Sequence, residues 1–198
     1  MRHFLPKVSV SFFVFILLSC NSDYTIGKKR GYFKIDFPEK KYKQFDQPGY
    51  PYSFEYPVYS SIVKDTTFFE AAPENPWWIN IDFPQFAARV YVSYKEIGKN
   101  KFDSLVNDAF KLSYKQHTYK ASAIEDSAML TPNNIRGMYF TLSGNTATAN
   151  QFFLTDSTKH FLRGALYFAA TPNEDSMGIV NDFLKKDILH LINTLKWK

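Results

Sequence analysis

The chain has 198 residues, 45% of them hydrophobic and 18% aromatic, with a formal net charge of +5. That hydrophobic share suits a globular domain and excludes an intrinsically disordered chain. Arg2 and Lys7 fall in an N-terminal stretch without acids, so the chain after it stands at +3, too mild a balance to point to nucleic acid.

Arg2 and Lys7 flank the start of an apolar run, Val8 to Leu18, broken only by Ser9 and Ser11 and closed by Leu17-Leu18-Ser19-Cys20. Charge, a short apolar stretch and a small residue before a cut form the order of a secretory signal peptide. The run covers 11 residues, whereas a helix needs about 20 to cross a bilayer. The Leu-Leu-Ser-Cys end has the form of a lipobox. It predicts residues 1–19 as a lipoprotein signal, Cys20 as the acylated first mature residue, carrying acyl chains such as palmitate, and residues 20–30 as a polar tether. Cys20 is the only cysteine in the sequence, so an internal disulfide is excluded and a sulfur-based metal or redox site lacks further ligands. Two or more acyl chains anchor a protein stably where one does not.

A single domain is predicted over residues 31–198. The tether overlaps a basic stretch, Lys28, Lys29, Arg30, Lys34, Lys40, Lys41 and Lys43, which reads as a solvated surface, contact with anionic lipid head groups being the alternative. Pro38, Pro48, Pro51, Pro57, Pro73 and Pro76 exclude long helices from residues 31–76. Phe54, Tyr56 and Val58 alternate with Glu55 and Pro57, which predicts a short edge strand. The many aromatics of this segment predict an ordered but irregular wrap against the core.

Beyond Pro76 the periodicity changes. Ile79, Ile81 and Phe83 share one strand face, opposite Trp78, Asn80 and Asp82, and Ala88, Val90, Val92 and Tyr94 form a second period-two set. Phe102, Leu105, Val106, Ala109, Phe110 and Tyr114 then recur at helical spacing, with Asn100 as the expected cap. Residues 123–130, 134–143, 147–155 and 160–169 read as a strand meander, with turns at Pro132-Asn133-Asn134, Ser143-Gly144-Asn145 and Asp156-Ser157-Thr158. A last helix is expected from Asp175 or Ser176, with Val180, Phe183, Leu184, Ile188, Leu191, Ile192 and Leu195 as its apolar stripe. Strands, helix, antiparallel strands, helix is the order of an α+β domain in which helices cover an antiparallel sheet. That order loosely resembles the Mog1/PsbP-like fold.

Catalytic signatures are sparse. His117, His160 and His190 follow no metal-binding spacing, and neither Gly-x-Ser-x-Gly nor a phosphate-binding glycine loop is present. His117 lies at a helix end, where the dipole alone accounts for it. The residues therefore predict no catalytic site, no metal and no cofactor, although acids assembled from distant strands would leave no signature. Two aromatic segments, Arg30 to Pro38 and Asn75 to Pro84, stand out. Trp, Tyr and Arg dominate interface hot spots, so Arg30, Tyr32, Phe33, Trp77, Trp78 and Asp82 are the candidate partner-binding residues. Alternation turns only one of Trp77 and Trp78 inward, and core filling is the competing explanation.

Those same segments carry a resemblance. Arg30-Gly31-Tyr32-Phe33-Lys34-Ile35-Asp36-Phe37-Pro38-Glu39-Lys40-Lys41-Tyr42 resembles the start of the mature GldD family of gliding-motility lipoproteins of the Bacteroidota. Tyr50 to Pro57, Pro76 to Pro84 and the closing Thr194-Leu195-Lys196-Trp197 are similar to that family too. The resemblance implies a lipid-anchored cell-envelope protein, needed for gliding and for type IX secretion, whose partners are other proteins of that machinery. It carries over no catalytic residue. A periplasmic ligand-binding or hydrolytic domain is the alternative. The mild run after Cys20, Asn21-Ser22-Asp23, favours the periplasmic side.

Overall fold

The structure, a computed structural model, describes residues 34–66 and 73–198. The predicted signal, Cys20, the tether, Arg30, Tyr32 and Phe33 lie outside the described residues.

Ten strands and two α-helices occur among the described residues. The strands are β1 (Tyr42–Phe45), β2 (Tyr52–Pro57), β3 (Ser61–Lys64), β4 (Ile79–Phe83), β5 (Ala88–Glu96), β6 (Ala121–Leu130), β7 (Arg136–Gly144), β8 (Asn150–Thr155), β9 (His160–Phe168) and β10 (Lys196–Trp197). The helices are α1 (Phe102–Tyr114) and α2 (Glu174–Thr194). Seven strands form one antiparallel sheet in the order β3-β4-β5-β9-β8-β7-β6, and β1-β2-β10 form a smaller one. The fold is α+β, as the periodicities predict.

Period-two alternation gives the large sheet two distinct faces. On one, Ile79, Ile81, Val90, Val92, Tyr94, Leu154, Leu162 and Leu166 join Tyr52 and Phe54 of the small sheet and Leu184, Ile188, Leu191 and Ile192 of α2 in the main core. On the other, Leu105 and Ala109 of α1 meet Phe140, Leu142, Phe153 and Phe161. Strand β8 is covered from both sides and all six of its residues are buried. Gly164 of β9 is required by the main core: a Cβ there would lie 2.2 Å from the ring of Phe152.

Three local expectations are corrected. Strand β2 is not an edge; it is the centre of the small sheet, with β1 on one side and β10 on the other. Pro57 is tolerated because it is the last residue of the strand. Residue Asn100 does not cap α1: Lys101 holds the cap position without a side-chain bond, while the Asn100 amide donates to Glu74 at 2.7 Å. Helix α2 starts one residue earlier than read, and Asn173 caps it by accepting from the Ser176 N–H at 3.1 Å. Nor is the basic stretch uniformly solvated. Lys40 reaches inward to Asp187 of α2 at 2.7 Å, whereas Lys41 pairs with Glu39 at the surface.

Candidate functional site

The aromatic block before β4 is built into the fold. Trp78 is 8% exposed, and its indole N–H donates to the Tyr94 carbonyl at 2.7 Å. Trp77 is half-buried; its indole donates to the Gly49 carbonyl at 2.7 Å and its ring meets Tyr94 edge-on. The Tyr52 hydroxyl donates to the Trp77 carbonyl at 2.5 Å, and Asn75 turns the chain into the block through the Trp77 N–H. These bonds satisfy both indoles, so the pair bridges the small sheet to β5. Asp82 sits towards the far end of β4, held bidentately by Arg89 at 2.5 and 2.9 Å. Arg89 in turn lies over the Tyr91 ring. Four residues of strand separate Trp78 from Asp82, about 13 Å, so the two do not form one patch. Of the preceding block, Phe37 stacks on Phe183 of α2 with ring centroids 4.4 Å apart, a core contact, while Ile35 is exposed.

The histidines have separate surroundings. His160 shares a 2.6 Å hydrogen bond between its Nδ1 and the Tyr94 hydroxyl and stacks on Trp197. Burial lowers its pKa, with Asp156 acting in the opposite sense. Burial also pushes the Tyr94 hydroxyl up to about 12, which keeps it protonated. His190 meets Glu55 at 2.7 Å and stacks on Tyr42. His117 is buried in the turn after α1, and the dipole does not account for it. A helix C-terminus favours the imidazolium, but here burial, with Arg163 nearby, lowers the pKa.

Two polar clusters went unseen in the sequence. In the first, Asp187 lies within the buried stripe of α2 and is 2% exposed. Tyr59 donates to it at 2.5 Å, Tyr42 at 3.0 Å and Lys40 at 2.7 Å. Lys40 also donates to the Phe183 carbonyl at 2.9 Å and sits 3.3 Å from the centroid of that ring. Burial lowers the Lys40 pKa, and the Asp187 contact counters it only in part. Every oxygen of the carboxylate is used, so this cluster ties the N-terminal segment to α2 and leaves no group free for chemistry.

The second cluster lies under α1, on the opposite face of the large sheet. Arg163 of β9 points from the sheet towards Leu112 of α1 and lines two cavities, of about 400 and 620 Å³. Its guanidinium donates to the Gln151 side-chain oxygen, which also accepts from Ser113. Gln151 is fully buried and its Nε2 has no partner; the same is true of Nε2 of buried His117. Among the described residues Arg163 meets no carboxylate. Burial lowers its pKa. An all-buried strand bearing a glutamine was the signal that sequence offered for this cluster. Among the described residues no three His, Cys, Asp or Glu side chains gather as a metal site requires, and no helix is long and apolar enough to cross a membrane.

Residues 22–197 match the model of the family described as gliding motility lipoprotein GldD. The chain belongs to the GldD family. The GldD match starts two residues after Cys20 and runs to Trp197, so it includes both sheets, both helices and both polar clusters. Comparison with curated proteins gives no match. Among solved structures, the GldD chain is similar to cyanobacterial PsbP (CyanoP) from Synechocystis sp. PCC 6803, at 11% identity and a TM-score of 0.47, over 81% of this chain and 95% of that one. As a member of a lipoprotein family, this GldD chain is a membrane-anchored protein of the cell envelope, associated with gliding motility.

Proposed function

We propose that this protein supports the gliding and type IX secretion machinery through protein contacts made by a lipid-tethered domain, not through catalysis. The signal is residues 1–19, Cys20 carries the acyl chains, residues 20–30 are the tether, and the domain stands on the periplasmic side. The observation that carries this reading is the match to a gliding motility lipoprotein family, which opens two residues past Cys20, the residue at which cleavage at a lipobox would start the mature chain. The bonding of the described side chains supports a non-catalytic role: each histidine and the buried Asp187 is engaged with structural neighbours or walled off from solvent.

Arg30, Tyr32 and Phe33, just beyond the tether, are the proposed partner-binding residues nearest the membrane. Trp77 and Asp82 are the proposed contacts on the domain, with Trp78 as the buried support of Trp77. Arg30→Ala is the test. A surface arginine contributes little to folding, so the variant should be as abundant and as heat-stable as wild type, and gliding and secretion should fail. Full gliding by an abundant Arg30→Ala protein would remove this block from the partner surface.

A further inference from the structure

Arg163 poses a physical problem that the docking role does not resolve. Taking an unpaired cation out of water costs several kcal/mol, and proteins offset this with a carboxylate or with several hydrogen bonds. Among the described residues the guanidinium has one acceptor, the oxygen of Gln151. Its surroundings supply it with no carboxylate partner among the described residues. Gln151 spends its oxygen on Arg163 and Ser113, and its Nε2 stays without a partner. Nε2 of His117, close enough for Arg163 to depress its charge, is also without one. The other cations on the smaller cavity are already matched: Lys95 pairs with Glu74 at 3.2 Å and Lys111 lies 3.8 Å from Asp108. Only Arg163 faces the space without an anion.

The same cavity is walled by the apolar Trp78, Leu105, Ala109, Leu112 and Phe161, with Ser93 and the lysine-paired Asp108 as its remaining polar lining. Its size falls within the range of roughly 300–1,000 Å³ typical of small-molecule sites, which combine apolar walls with a few oriented polar groups. We propose that the cavity between α1 and strands β5 and β9 binds a small organic carboxylate, its carboxylate on Arg163 and its apolar body against Trp78, Leu105 and Phe161. Planar guanidinium and carboxylate groups match as a bidentate pair. No bond is made or broken; the site holds its ligand. This inference is independent of the partner surface proposed above.

Calorimetric titration of the full-length protein in a nonionic detergent tests it, with 4-phenylbutyrate, the neutral 4-phenylbutan-1-ol and inorganic phosphate as probes. The acid should bind at least tenfold more tightly than the alcohol, and phosphate should not compete. Arg163→Met, which keeps length and loses charge, should bind acid and alcohol alike. It should also melt no lower than wild type, because a half-buried cation without a carboxylate partner has been removed. Equal binding of the two probes, unchanged binding in Arg163→Met, or displacement of the acid by equimolar phosphate would overturn the proposal. If Arg163→Met unfolds, Ser93→Phe decides: it fills the cavity from β5 with Arg163 in place and should abolish binding of the acid, and retained binding would refute the site.

Discussion

At the scale of single residues, the polar groups that matter are those the fold has withdrawn from water. Asp187 is the clearest case. It interrupts the apolar stripe of α2, and a sequence reading passes over one acid among leucines and isoleucines as a solvated position. Its partners Lys40, Tyr42 and Tyr59 lie more than 120 residues away along the chain, a separation with no local signature. Asp187→Ala should leave the half-buried Lys40 ammonium without its counter-charge and the Tyr42 and Tyr59 hydroxyls without the carboxylate they donate to. Breaking a buried pair costs about 3–5 kcal/mol, and the partial access of water to Lys40 places this one near the lower end. Asp187→Asn retains acceptors and should cost less; chemical denaturation of the two variants gives the comparison. His117 and His160 supply a pH dependence. Both have folded pKa values below the ordinary histidine value, chiefly through burial. Below about pH 6.5 the unfolded chain therefore binds protons that the folded chain refuses, so stability is full above that pH and falls as the pH drops through it. Thermal melts from pH 7.5 to 5.5 should show this decline, and His117→Gln should make it shallower. An equal slope in that variant would mean that His117 titrates as freely folded as unfolded.

At the scale of elements, legibility followed the range of the contacts. Strands β4 and β5, the β6–β9 meander and both helices announce themselves by period, because each buries one face continuously. The small sheet does not. Its β10 is two residues long and pairs with β2 across most of the chain, and the prolines flanking and ending β2 argue for an edge. What makes β2 a central strand is long-range pairing, which local pattern does not encode. The Arg163 cluster was hidden in the same way: Ser113, His117, Gln151 and Arg163 come from α1, its following turn, β8 and β9, and each looks ordinary alone. Trp77 and Trp78 stand out in the sequence, yet both indoles are spent on backbone carbonyls, which alternation does not foretell. The seam between β8 and β9 gives a direct test of packing. Gly164→Ala places a methyl group inside the Phe152 ring. Overpacking of this kind costs about 1–3 kcal/mol, and Phe152→Leu in the same chain should recover part of it. A Gly164→Ala protein as stable as wild type would mean that the Phe152 ring moves aside without loss.

At the scale of the whole molecule, the fold has two working faces around one sheet. The main core, with α2 and the small sheet, carries the stability and fastens residues 35–45 through Phe37, Lys40 and Tyr42. That fastening sets the start of the domain firmly where the proposed tether would deliver it. The face under α1 carries a smaller apolar cluster and the half-buried Arg163, which meets no carboxylate among the described residues. The proposed attachment point of the lipid is Cys20. Metabolic labelling with a fatty-acid probe, followed by fractionation of membrane and soluble protein, tests this most directly. Wild type should take up the probe and fractionate with membranes, while Cys20→Ala should take up none and appear either in the soluble fraction or as uncleaved precursor. Normal labelling of Cys20→Ala, or unlabelled wild-type protein, would contradict the account.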